Sequence, residues 1–307
     1  MELATSFSPL SLQKARQSLE QAHSATPVRR ILFCLAEIVR YPRPRMVDIH
    51  CHILYGLDDG PASLEMALEM AEISVSEGVT HIVATPHAND QYPFVPELIQ
   101  LRRDEIQARM GDRLVLATGC DFHLSFENLQ DIRQQPQKYS LNQKNYLLVE
   151  FADFAIPPSM DQTLHQLQLA GLHPIITHPE RNPLIRAQAD RLLRWLQRGC
   201  YAQVTAASFL GRFGPAAKLA AETWMKQDAV HFVASDAHNT TSRPPRLREA
   251  FEIVAKQKGE DVAQALFIDN PRAAFDGKPL PYFPESAAPN EPEMDTQPRR
   301  RKRFWFF

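Results

Sequence analysis

Long apolar runs, paired cysteines and an excess of charge are all missing from this chain. No run approaches the ~20 apolar residues that a membrane-spanning helix needs. The four cysteines, Cys34, Cys51, Cys120 and Cys200, lie far apart with no C-x-x-C pair, so neither a disulfide framework nor a structural zinc site is expected. A formal net charge of -2 gives no general attraction to nucleic acid. The amino end lacks the basic-then-apolar pattern of a secretory signal, and a reducing cytoplasm is the expected home. No internal repeat is evident. At 307 residues, 44% hydrophobic and 23% charged, the chain has the composition of a folded globular protein, and one α/β barrel with appendages would account for its length.

Residues 1–45 read as a helical extension: 11–25 is polar and helix-prone, and 28–39 suits a short amphipathic helix before the Tyr41-Pro42-Arg43-Pro44 break. Cys34 and Arg40 in this extension have the C-x5-R spacing of cysteine-dependent phosphatases. The residues between them, Leu-Ala-Glu-Ile-Val, are helical and place a carboxylate where an anion would sit, so Cys34 reads as structural. From residue 46 the pattern becomes regular. β-rich runs are expected at 46–49, 80–84, 114–117, 146–149, 174–177, 201–204 and 230–234. Helices are expected at 63–77, 96–110, 159–170 and 184–198, closed by Gly78, Gly111, Gly171 and Gly199, and at 215–227 and 247–258. Alternating strand and helix predicts a parallel sheet, and seven strands favour a closed barrel over an open one. Residues 278–298, rich in proline and acid, read as a linker, and 299–307 as a basic aromatic tail.

The metal-competent residues gather where the β runs end. His50 and His52 are separated by one residue, so an extended strand points both imidazoles to one face. Asp59 follows in the next loop. The second run ends at His87, the third at Asp121 with His123 nearby, the fourth at Glu150, the fifth at His178 with Glu180 and Arg181 beyond, and the seventh at Asp236 and His238. The sixth supplies no obvious ligand. His81, His173 and His231 open their runs, which puts them at the opposite rim, as structural residues; His165 and His23 lie in helical stretches. In a parallel α/β barrel the carboxyl ends of the strands meet at one rim. Five histidines and four carboxylates are too many for one ion, so two or three divalent cations are expected, with manganese, iron or zinc suited to the mixed nitrogen and oxygen donors. Such a cavity is positive enough for a phosphate, which Arg181 and Arg243 could clamp through paired N–H donors. The chemistry implied is metal-assisted hydrolysis of a phosphoester.

At these residues the chain resembles the PHP (polymerase and histidinol phosphatase) family, and within it the manganese-dependent tyrosine-protein phosphatases of bacterial capsule and exopolysaccharide operons. The resemblance runs over 46–274 through DIHCHILYGLDDGP, GVTHIVATPH, TGCDFHLS, LLVEF, THPERN, GCYAQVTAAS, ASDAHNTTSRPP and LFIDNP. It implies a distorted seven-stranded PHP barrel over 46–277 holding up to three metals, most readily manganese. The implied ligands are His50, His52, Asp59, His87, Asp121, Glu150, His178, Asp236 and His238, with Arg181 and Arg243 binding phosphate. His238 is also a candidate proton donor to the leaving group. Many relatives carry glutamate where this chain has Asp121. The resemblance further implies attack by a metal-bound hydroxide on a phosphotyrosine protein, with a bacterial tyrosine kinase as the expected partner.

Two other readings of the site compete with this one: a phosphatase of a small phosphoester such as histidinol phosphate, and a metal-stabilised scaffold without catalysis. A nuclease is disfavoured because the barrel region carries no basic excess. The cationic and aromatic residues of 299–307 could touch an anionic membrane surface peripherally, at the inner face. An oligomer built through the amino-terminal extension is left open.

Overall fold

The strand that leads into the paired histidines is fully enclosed. This strand, β1 (Met46–Cys51), is buried at all six positions, as a parallel strand covered on both faces must be. The structure, a computed structural model, describes residues 44–284. The expected helices of the amino-terminal extension, with His23, Cys34 and Arg40, lie outside the described residues, as does the tail from 285 onward.

After β1 come α1 (Leu64–Glu77), β2 (Val79–Ala84), β3 (His87–Ala88) and α2 (Pro96–Met110). β4 (Val115–Thr118), β5 (Asp121–His123), α3 (Phe126–Gln134), β6 (Tyr146–Glu150) and α4 (Met160–Leu169) follow. The second half holds β7 (His173–Thr177), α5 (Pro183–Ala187), α6 (Ala189–Gln197), β8 (Tyr201–Thr205), α7 (Ala206–Phe209), α8 (Gly214–Lys226) and β9 (Phe232–Ala234). It closes with α9 (Arg248–Lys258), α10 (Glu260–Gln264) and α11 (Asn270–Asp276). Local chemistry sets several of these bounds. The Ser63 side chain caps α1 by accepting from Met66 N–H, and Gly78 ends it in the left-handed region at φ 99°. Pro96 opens α2, where its missing N–H costs nothing. The single helix expected over 184–198 is instead two, broken at Gln188, whose φ of -124° and ψ of 48° are not helical.

All strand pairs are parallel. One sheet has the order β1-β2-β4 and the other β3-β5-β6-β7-β8-β9. The two sheets share chain runs: β2 and β3 are one run interrupted at Thr85-Pro86, and β4 and β5 one run interrupted at Gly119-Cys120. Gly119 sits where a Cβ would press within 2.9 Å of the Leu141 side chain and 3.0 Å of Val83. The last run returns to the first, with Asp236 N–H donating to His50 O at 2.8 Å and His52 N–H to Ala237 O at 2.9 Å. Cys51 and Ala237 form a parallel bridge there.

The inward faces of the strands form one apolar cluster that includes Val47, Ile49, Val83, Ala117, Tyr146, Leu148, Ile175, Phe232 and Ala234. Two residues beyond Leu148 and Ala234 on the same faces come Glu150 and Asp236, and four beyond Ala117, past Gly119, comes Asp121, so strand alternation carries the apolar floor into charged groups. β1 reaches the same result by an offset. Its pairing with β2 slips by one residue between Asp48 and Cys51, so the inward face passes from Val47 and Ile49 to His50 and His52. A second, larger apolar cluster packs the outward strand residues against the helices.

Of the expected linker, residues 278–284 are described: Lys278, Pro279, Pro281 and Phe283 are exposed and Pro284 is buried, and the stretch touches the barrel through a few contacts. Lys278 O accepts from Tyr146 O–H at 2.8 Å, Tyr282 exchanges hydrogen bonds with the buried Asn270 side chain, and the Phe283 ring meets Tyr201 and His231. Among the described residues, no helix is long and apolar enough to cross a membrane.

Candidate metal centre

Each strand end delivers its side chain to one place. All nine residues expected as ligands fall into four overlapping groups of donors: His52, Asp59, His87 and His238; His50, His52 and Asp236; His50, Asp121 and His178; and His87, Asp121 and Glu150. Within each group the donor atoms lie within 4.8 Å of one another. His50 Nε2 is 3.4 Å from both Asp121 Oδ2 and Asp236 Oδ1. His87 spans two groups, with Nε2 3.4 Å from Asp59 Oδ1 and Nδ1 3.4 Å from Glu150 Oε2. His238 Nε2 is 3.3 Å from Asp59 Oδ1, and His178 Nε2 is 3.9 Å from Asp121 Oδ2. His123 and Glu180 stand outside these groups.

The donor set fits divalent ions. Ligands about 2.1 Å from a shared ion in tetrahedral geometry are separated by about 3.4 Å, close to these spacings. Both Asp121 carboxylate oxygens, His87 Nδ1 and His238 Nε2 are buried without a hydrogen-bond partner. Buried polar atoms left in that state are costly unless something coordinates them. The charges point the same way. Burial opposes a proton on His50 and on His87, yet Asp121 and Asp236 outweigh it at His50, raising it to about 9. Asp59 and Glu150, with the charge of Asp121, do the same at His87, raising it to about 11. Although burial alone would raise them, Asp121 and Asp236 are held well below the usual carboxylate range, by His50 and by Arg181 respectively. Such a pocket takes up positive charge, and cations that bind there release protons. His52 differs: burial first, then the charge of His238, lowers it to about 3, so it is a neutral donor near pH 7.

Several residues aim these donors. His52 Nδ1 donates to Asp58 Oδ2 at 2.7 Å and His50 Nδ1 to Gln203 Oε1 at 2.8 Å, both partners being acceptors only, so each ring turns Nε2 toward the pocket. Asp58 also accepts from Gly60 N–H and His87 N–H, which folds the loop back over β1. At Gly60 a Cβ would collide with the His52 carbonyl. Asp48, buried beneath and pushed up to about 6 by that burial, accepts from Ser235 N–H at 3.0 Å and joins the first run to the last. His178 and Asp236 both have positive φ, 30° and 50°, a strain that persists where surrounding structure fixes the side chain for use.

Sequence reasoning passed over Asp48 and Gln203, which coordinate nothing themselves. For Asp58 the doublet with Asp59 was the visible signal. Gln203 lies on the run that had seemed to supply no ligand, and its inward alternation with Tyr201 and Thr205 was the signal for it.

Arg181 and Arg243 stand at one edge of the pocket. Both donate to Asp236 Oδ2, Arg243 at 2.6 Å, while Asp236 Oδ1 faces His50 and His52 at 3.4 and 3.6 Å. One carboxylate thus joins the histidines to the arginines. Arg243 Nε is buried with no acceptor.

Known proteins resemble this chain over the same region. Residues 46–276 match the family described as capsular polysaccharide synthesis, CpsB/CapC. The chain is 35% identical over 225 residues to the tyrosine-protein phosphatase YwqE of Bacillus subtilis (strain 168), covering 72% of this chain and 88% of that protein. It is 33% identical over 238 residues to the tyrosine-protein phosphatase CpsB of Streptococcus pneumoniae, covering 74% and 97%. A crystal structure from work on YwqE and CpsB, described as unique metal-dependent tyrosine phosphatases, superposes with a TM-score of 0.73 at 31% identity, covering 79% of this chain and 99% of that one. The chain belongs to the CpsB/CapC family.

Proposed function

We propose that this protein is a metal-dependent protein-tyrosine phosphatase, a hydrolase of phosphoric monoesters serving capsule or exopolysaccharide synthesis. The observation that carries the reading is the meeting of nine nitrogen and oxygen donors with two arginines at one edge, in a chain whose relatives are named tyrosine phosphatases. We assign His50, His52, Asp59, His87, Asp121, Glu150, His178, Asp236 and His238 to two or three divalent ions, manganese first among the metals that suit them. The catalytic unit would be a distorted seven-run barrel over 46–277. The uninterrupted neighbour order of the runs and the return of the last run to β1 support it.

When bound, the ions supply Lewis acidity, making water a nucleophile near neutral pH and offsetting phosphoryl charge. The protein's own residues do the rest. Asp58 and Gln203 keep His52 and His50 turned inward. Arg181 and Arg243 receive the phosphoryl oxygens beside Asp236, where their charge counters the negative charge that shifts outward during transfer. A tyrosyl phenolate, with a pKa of about 10, leaves with little acid assistance. His238 Nδ1 lies 3.1 Å from the Asp236 carbonyl oxygen, and Nε2 belongs to a donor group. Neither ring nitrogen is then left to protonate a leaving group, which favours the ligand role for His238.

We take the substrate to be a phosphotyrosine protein, with a tyrosine kinase of the same pathway as partner. The cytoplasmic setting and peripheral membrane contact through 299–307 rest on composition. Metal-depleted protein should regain activity on a phosphotyrosine peptide when manganese is added, and should prefer that peptide to histidinol phosphate. Arg181→Ala should lower kcat/KM by about 10²-fold while metal content is unchanged. Full activity in that variant would remove Arg181 from phosphate binding, and preference for histidinol phosphate would move the protein to the small-substrate class.

A further inference from the structure

We infer that Phe213 is the positioning residue for the arginine pair, an aromatic face that aims both guanidiniums into the pocket without neutralising them. The inference rests on the phosphatase reading of the site and names a residue that reading leaves out. The Arg181 guanidinium carbon stands 4.3 Å from the Phe213 ring centroid and that of Arg243 5.9 Å, both within the range of cation–π attraction. Two cations that would repel each other therefore share one ring on one side and the Asp236 carboxylate on the other.

The two partners act differently. Asp236 takes a donor from each arginine and cancels charge, whereas the ring face holds the guanidinium groups while leaving N–H donors and positive charge free for an oxyanion.

The turn that carries Phe213 is built to keep it there. It joins α7 to α8, and the flanking Gly211 and Gly214 both have positive φ, 75° and 87°, a conformation that favours glycine. The turn is closed by Gly211 N–H to Ser208 O and Gly214 N–H to Gly211 O, each 3.0 Å. Glu180, fully buried and adjacent to Arg181, accepts from Thr205 N–H at 3.0 Å and Ser208 O–H at 2.7 Å at the start of α7. The Glu180 carboxylate therefore ties the loop bearing Arg181 to the segment bearing Phe213. On the third side, Asn239 Oδ1 accepts from the backbone of Thr241, Ser242 and Arg243, which fixes the Arg243 loop.

The test is a double-mutant cycle on manganese-loaded full-length protein, with p-nitrophenyl phosphate as substrate and inorganic phosphate as inhibitor. Phe213→Leu should raise KM and the phosphate inhibition constant together, about fivefold to tenfold. Phe213→Tyr, which keeps the ring, should stay within about twofold of wild type. In an Arg181→Ala background, Phe213→Leu should lose most of its effect, because it acts through the arginines. Full additivity, an unchanged inhibition constant, or equal loss in the leucine and tyrosine variants at wild-type melting temperature would overturn the inference. Phosphate binding read by thermal shift separates the two levels. Wild-type protein that binds phosphate but hydrolyses no ester, with binding weakened by Phe213→Leu, would support the inference and overturn the phosphatase reading. Wild-type protein that neither binds phosphate nor hydrolyses the ester would overturn both.

Discussion

Histidines stand at both ends of the strands, and the two that are raised, His50 and His87, stand at the carboxyl ends, although His52 there is lowered to about 3. At the carboxyl ends, carboxylates within 3.5 Å raise His50 to about 9 and His87 to about 11. At the amino ends, burial alone lowers His173, and it lowers His231 to about 3. His81 is lowered by burial and then by the charge of Arg272. The neighbours explain the difference. His231 packs edge-on against Tyr201 and Phe283, and His173 lies 4.9 Å from the Tyr146 ring. Among the described residues none of these three joins a group able to hold an ion. The same side chain joins a group able to hold an ion or becomes a piece of floor according to which end of a strand it occupies and whether carboxylates or rings surround it.

The comparison can be broken most severely at Asp121, whose Oδ2 faces His50, His87 and His178. Asp121→Asn keeps the shape and removes the charge. Phosphatase activity should fall by at least about 10²-fold, with lower metal content by elemental analysis; retained metal and activity would mean the charge is dispensable. A smaller effect is expected from Gln203→Leu, which frees the His50 ring but leaves every donor present. Metal affinity should weaken by about 10- to 100-fold in a competition titration with a chelator, and an unchanged affinity would show that burial alone fixes the ring. The mildest change is at the other end, His231→Phe. Because the folded-state pKa of His231 is depressed to about 3, the unfolded chain binds the extra proton below about pH 6.5. Stability from this residue is therefore present above that pH and lost as pH falls toward the folded value, amounting to about 2 kcal/mol between pH 7 and pH 5. Denaturant midpoints of the variant should fall less over that interval than those of wild type, while kcat at neutral pH stays the same.

Much of this was legible in the residues because alternation and chain punctuation are local. The expected helix at 96–110 coincides with α2, and Gly78 closes α1 as expected. The nine donors could be marked because each sits where a β-rich run stops or, for Asp59, in the loop that follows. Three features were not legible. α3 is nine residues long, with only Ile132 buried and Leu129 packed one turn before it, an apolar stripe too short to stand out, although Ser125 caps it. The break at Gln188 involves no proline or glycine. Gln203 acts on His50 from 153 residues away, and a glutamine on a strand announces no partner until the strands are placed side by side.

The one-residue offset in β1 decides which side chains face the pocket. If the strand alternated evenly from Val47 and Ile49, the next inward side chain would be that of Cys51, and the imidazoles of His50 and His52 would face the helices. Cys51 is instead buried on the outer side, its thiol pushed well above its usual range by that burial. A thiolate in the pocket would draw soft, thiophilic metals such as copper(I) and expose the site to oxidation. The extra residue keeps sulfur behind the wall and nitrogen in front of it, so a slip in backbone pairing decides which donor atoms line the pocket.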